Sequence, residues 1–250
     1  MSDLLHNPLA SYIAALLLFL GLTTALLIAH KIRLRWQPYI ATVRACLQLA
    51  VIALLLQGIL AAPWALVLFI ALMLTTATAT SGKHSRQLHH GLVATTLAII
   101  TGPLISVALI FLLGLVPYST QNLVAVAGIV IGGTMAITTL TARNFTALAT
   151  ARQGEIEGWL ALGATAPVAF RDITKAAITE ALTPGLDQTR ATGLVTLPGT
   201  FVGALMGGAS PLLAAQLQVA VLAGQTLAGT ISALILTSIV TRTRVLPLTT

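Results

Sequence analysis

Acidic side chains are nearly missing from this chain. There are six in 250 residues, and five of them (Glu155, Glu157, Asp172, Glu180 and Asp187) fall between residues 143 and 190. Cysteine is down to Cys46 alone, which excludes an internal disulfide and a thiolate metal cage. Charged residues of both signs make up 8% of the chain, where a soluble domain carries roughly 25%. A soluble domain of this size is therefore excluded. What is present instead is 57% hydrophobic residues and a mean hydropathy of +0.96, the composition of a polytopic, all-α integral membrane protein with one transmembrane domain over residues 1–250. The net charge of +7 does not point to nucleic acid, because lipid headgroups explain basic residues placed in short connections.

Catalytic and nucleotide motifs are also missing. Ser81-Gly82-Lys83-His84 lacks the upstream glycine and the Ser/Thr of a phosphate-binding loop, and there is no Gly-x-Ser-x-Gly and no His-Glu-x-x-His. The chain is expected not to hydrolyse ATP and not to be an enzyme.

Crossing ~30 Å of hydrocarbon takes ~20 apolar residues. Seven runs qualify: 9–29, 40–61, 63–81, 92–114, 121–141, 192–209 and 212–240. Turn chemistry separates them at Ala62-Pro63-Trp64, Ser81-Gly82-Lys83, Val116-Pro117-Tyr118 and Gly207 to Pro211. The break at Pro63 predicts a tight helical hairpin. The first run is followed, not preceded, by its charges Lys31, Arg33 and Arg35, so a retained first helix is expected rather than a cleaved signal. All thirteen Lys and Arg residues fall on one side, twelve in alternate connections and Arg44 in the first turn of the second run, and residues 1–8, 62–64, 115–120 and 207–211 hold none. This partition predicts seven helices with the N-terminus outside and the C-terminus in the cytoplasm. No Asp, Glu or Lys lies inside a predicted span, which argues against proton-coupled carriers and voltage sensors.

The charged stretch reads as two short helices at the cytoplasmic face. Residues 150–162 place Ile156, Trp159 and Leu160 on one side, and Gly163 ends the helix. Thr165-Ala166-Pro167 opens a second helix with Phe170, Ile173, Ala177, Ile178 and Leu182 as its apolar stripe, and Pro184-Gly185 is expected to stop it. An amphipathic connection resting on headgroups would look similar. Interspersed charges of both signs suit a protein groove better.

The string Glu155-Ile156-x-x-x-Leu160-x-Leu162-Gly163-Ala164-Thr165 resembles the coupling loop of ABC transporter permeases. Pro184-x-x-Asp187-x-x-Arg190-x-x-Gly193-Leu194-Val195-x-Leu197-Pro198-Gly199 is similar to the narrower FetB (YbbM) family of permeases, as are Arg44-Ala45-x-x-Gln48-Leu49, Ala127-Gly128-x-x-x-Gly132 and Gly208-x-x-Pro211-x-x-Ala214-x-x-x-Gln218. The resemblance implies a homodimeric permease in the bacterial inner membrane, paired with a separate ABC ATPase that binds ATP and Mg. It also implies export of iron or another metal, with plant relatives linked to aluminium tolerance. ATPase coupling then falls to Glu155, Glu157, Trp159, Leu162, Gly163, Ala164 and Thr165. The chain departs from the pattern at two places: Gly133 stands where the resemblance implies an intramembrane Asn, and Thr200-Phe201 where it implies a Met pair.

Intramembrane polarity comes from Gln48, Gln57, Gln216, Gln218, Gln225 and many threonines. Gln48, Gln218 and Gln225 are the candidate substrate-pathway residues, with an interhelical hydrogen bond as the competing role. Gly128 and Gly132, and Gly199, Gly203 and Gly207, recur every four residues, as helix-packing glycines do, within the chain or across a dimer seam. Ala220, Gly224 and Ala228 extend the pattern. His84, His89 and His90 cluster without helical metal-pair spacing, so they read first as a solvated loop, and no metal site can be assigned. A self-contained carrier or channel, a membrane enzyme and a membrane anchor are the rival readings.

Overall fold

The computed structural model describes the backbone of residues 8–34, 36–59 and 63–242, and side chains over 10–34, 36–53 and 64–242. His6, Arg35, Arg244, the side chain of Gln57 and the proposed hairpin at residues 60–62 lie outside these. Ten helices and no strand occur among the described residues: α1 Pro8–Ala29, α2 Gln37–Ile59, α3 Pro63–Ser85, α4 Gly91–Leu112, α5 Thr120–Ala151, α6 Gln153–Ala161, α7 Ala166–Ala169, α8 Arg171–Ala191, α9 Gly199–Met206 and α10 Pro211–Val240. The chain divides into two units, residues 1–62 with α1 and α2, and residues 63–250 with the rest.

Five helices are long and apolar enough to cross a membrane: α1, α3, α4, α5 and α10. Helix α2 has 23 residues, a membrane-crossing length. The starts follow capping chemistry. Ser119 accepts a hydrogen bond from the Asn122 amide to open α5, and Ser210 accepts one from Leu213 ahead of Pro211 in α10.

In the second unit α10 is the central helix. It runs antiparallel to α4, as two serine hydroxyls show: Ser106 donates to the Gly224 carbonyl at 2.6 Å and Ser232 to the Ala98 carbonyl at 2.7 Å. It runs parallel to α5, because Gly133 lies against Gln225 and, four residues on in both helices, Ile137 lies against Gly229. Apolar burial offers no net drive between helices in lipid, so small residues and interhelical hydroxyl bonds hold this interface. Most threonines are spent locally: Thr138, Thr141, Thr226, Thr230 and Thr237 each donate to the carbonyl four residues back.

The sixth apolar run does not form one crossing. Of residues 192–209 only Gly199–Met206 is helical, roughly 12 Å and too short to span alone. Gly193 at φ +96° and Pro198 interrupt it. The preceding helix runs further than expected. Pro184-Gly185 does not stop α8, which continues to Ala191. Proline removes the one hydrogen bond to the Glu180 carbonyl, and Glu180 is exposed, so water or headgroups can take that carbonyl over.

Helix α8 therefore does not end at the basic end of the bundle. It packs along α5 and α10, with Ala181 buried against Ile137 and Ala233. One to two turns further on, Gln188 and Thr189 share a cleft with Leu222, Gln225 and Thr226. Gln225 is the fifteenth of the 30 residues of α10. The broken pair α8–α9 thus carries the chain past the middle of α10, and it brings Asp187 and Arg190 to that depth. Asp187 and Arg190 precede the sixth apolar run in the sequence, and the fold sets them level with the middle of α10.

Candidate functional site: a helix–turn–helix anchored to the bundle end

Helices α6 and α7 meet at a tight turn. The Gly163 amide donates to the Leu160 carbonyl and the Ala164 amide to that of Trp159, both at 3.0 Å, with Gly163 at φ +86°. This pattern closes a helix end with a residue in the left-handed region, where glycine is favoured. Glu155 sits in the first turn of α6, favourably placed for the helix dipole. Gln153 donates to Glu157 at 2.8 Å.

One face of the segment is locked down. Ile156, Ala166, Ala169, Phe170, Ile173 and Ala177 are buried in one cluster with Phe145 and Ala149 of α5 and Leu236 and Val240 of α10. The Phe145 and Phe170 rings lie 5.8 Å apart. The stripe read from periodicity is the packed face except at Trp159, which was grouped with Ile156 and Leu160 but turns outward, and the rest packs on protein rather than on lipid headgroups. The opposite face is open: Leu162 is 84% exposed and Trp159 48%, with Glu155, Glu157, Gly163 and Thr165 also exposed and Ala164 half-buried. A cup of about 440 Å³ sits beside the turn, lined by Leu160, Ala164, Thr165, Ala166, Pro167 and Arg242. Of the residues assigned to coupling, Leu162, Gly163, Ala164 and Thr165 form the projecting turn, and Glu155, Glu157 and Trp159 lie on the helix that leads into it. Arg242, at the far end of α10, joins them; sequence separation hides it.

The pathway candidates divide between the two units, Gln48 in the first and Gln218 and Gln225 in the second. Gln48 is exposed on α2. Gln218 is 4% exposed, and its Oε1 is buried without a hydrogen-bond partner, as is the Thr134 hydroxyl. Gln225 is half-buried, and its amide fills the space that a side chain at Gly133 would need. The amide that the resemblance implies at position 133 is replaced in space by one from α10.

Among the packing glycines, Gly128 faces the Met73 methyl, 3.4 Å from where a Cβ would stand. Gly132, Gly199 and Gly203 have nothing within 4 Å of that point, and Gly207 meets only carbonyls of its own helix. The tightest contacts between helices of the bundle are at Gly102, Gly133, Gly224 and Gly229, with Gly91 tighter still against the Ser85 carbonyl at the α3–α4 connection; of these, spacing singled out only Gly224. His89 is half-buried and His84 and His90 exposed. The His89 and His90 rings stand edge-to-face 4.1 Å apart, and no group of three or more His, Cys, Asp or Glu converges among the described residues.

Fold and composition define the class: an all-helical, polytopic membrane protein with a helix–turn–helix docked on one end of its bundle. The chain belongs to the Uncharacterised protein family (UPF0014), whose model matches residues 10–245. It is 33% identical over 220 residues to the UPF0014 membrane protein STAR2 of Oryza sativa subsp. japonica, covering 87% of this chain and 77% of that one. It is 32% identical over 224 residues to Protein ALUMINUM SENSITIVE 3 of Arabidopsis thaliana, covering 88% and 82%. The probable iron export permease protein FetB of Escherichia coli K12 is 28% identical over 223 residues, covering 86% and 84%. No solved structure matches.

Proposed function

We propose that this chain is the membrane permease subunit of an ABC transporter, working as a homodimer with two separately encoded ATPase subunits in a bacterial inner membrane. The observation that carries the reading is the exposed turn at Leu162-Gly163, whose other face is fixed to α5 and α10. A projecting apolar residue on a rigid mount suits insertion into a partner's groove. ATP and Mg belong to the partner. Closure of the ATPases would shift residues 152–182 and bias the membrane part between inward and outward openings. The name of the FetB relative favours iron or another metal as substrate and export as direction.

Leu162→Asp tests the reading cleanly, because the native side chain makes little contact within the chain. Gly163→Asp adds a charge and strains the turn at once. Both variants should insert normally and lose co-purification of the partner ABC ATPase. Retained pull-down with both would overturn the coupling assignment. A self-contained carrier is favoured by one observation, the Asp187–Arg190 pair level with the middle of α10. Flux through liposomes holding the purified chain alone decides between the two, since the ABC reading expects none without the ATPase and ATP.

A further inference from the structure

Two features of the α8–α9 break do not fit contact with lipid. The first is the ion pair: Arg190 Nη1 lies 2.9 Å from Asp187 Oδ1, with the side chains 77% and 59% exposed. The second is irregular backbone. Residues 192–198 are non-helical and largely exposed, Leu194 at 97%. Depth follows from register. Gln188 and Thr189 share a cleft with Leu222, Gln225 and Thr226, and Leu222 stands eleven residues from the start of α10, roughly 17 Å along its axis. Gln225 stands roughly 21 Å from one end of that helix and 22 Å from the other. With α10 centred across the bilayer, the pair and the break lie within the hydrocarbon depth, whichever end faces out. A charged side chain at that depth costs roughly 2.5–3.5 kcal/mol or more in lipid, and unwound backbone is tolerated there only where it is buried in protein or lines a water-filled cavity.

We infer that the exposed face of the break lines the translocation pathway: Asp187 and Arg190 meet water at mid-membrane, with Gln188 and Thr189 at its edge and Gln225 behind them. The inference rests on the permease reading and deepens it. Amides, hydroxyls and a matched pair of charges, with no thiol, thioether or imidazole, suit a hydrogen-bonding or oxygen-coordinated solute rather than a metal held by soft ligands. The cleft behind the pair is about 10 Å³, room for about one water, so passage lies on the exposed side of α8 and not through the cleft.

Thiol accessibility tests this in the full chain, in native membranes. Cys46→Ala removes the only cysteine. Single cysteines are then placed by Asp187→Cys and Leu194→Cys, with Leu104→Cys as control. Leu104 is an exposed α4 residue level with Thr226 in the antiparallel register. A membrane-impermeant cationic methanethiosulfonate should label the first two faster than the control by more than about tenfold. Adding Arg190→Gln to Leu194→Cys leaves the carboxylate alone, so the cationic reagent should gain over its anionic counterpart by several-fold. Reactivity at 187 and 194 as low as at 104 overturns the inference, whether lipid or a dry subunit contact covers the face. An unchanged reagent preference in Arg190→Gln overturns the placement of the pair at the pathway. Neither readout needs the ATPase, so failure here is separable from failure of the Leu162 pull-down.

Discussion

Gly102 shows how close the α4–α10 contact is. A Cβ there would overlap the Ser232 hydroxyl and the Ala228 carbonyl, and a backbone atom cannot swing aside. Gly102→Val should lower the stability of the detergent-solubilised chain by about 1–3 kcal/mol in thermal unfolding. Ser106→Ala, which removes one interhelical hydrogen bond, should cost only about 0.6 kcal/mol. Gly133 is different, because its neighbour is a side chain. Gly133→Ala should be destabilising alone and largely neutral in a Gln225→Ala background, a coupling that a double-mutant cycle reads directly. None of these three roles follows from spacing. A four-residue repeat states that a helix has a small-residue face, as at Gly132, Gly199 and Gly203, but what opposes that face is set by another helix. Gly102 and Gly133 stand out only once Ser232 and Gln225 are placed against them.

At the scale of elements, α6, α7 and the start of α8 behave as a unit seated by Phe170. Phe170→Ala should cost about 3–5 kcal/mol of packing and loosen the segment from the bundle end. Trypsin cleavage at the exposed Arg152, Arg171 and Lys175 should then accelerate, with the membrane helices left intact. These helices were legible in the sequence because their stripe is periodic and Gly163 marks the turn. The long spans were legible for a simpler reason: their length and apolarity are required by the bilayer itself. The sixth crossing was not. Hydropathy registers that 192–209 is apolar but is blind to Gly193 at φ +96° and to the end of α8 at Ala191. Proline 184, read as a stop, is an exposed helix residue that forfeits one bond.

On the scale of the whole second unit, α8 spans the distance between the proposed coupling turn and the proposed pathway segment. Its first turn follows Phe170 at the seated end of the bundle, and its last holds Arg190 beside the middle of α10. Spin labels at Leu162 and Leu194 of one chain should keep a constant separation on addition of ATPase and ATP, because α8 is an unbroken helix of 21 residues. The separation between Leu194 labels on two copies should change. A constant copy-to-copy distance would count against transmission through α8. The unbroken stretch from Arg171 to Ala191 has one further consequence, which is mechanical advantage. A rod roughly 30 Å long pivoting by about 10° at its seated end sweeps its tip through about 5 Å, a width comparable to one turn of helix. A movement at the mount too small to disturb the packing around Phe145 would thus be magnified at the charged tip, and a stiff arm needs no unfolding step to deliver it.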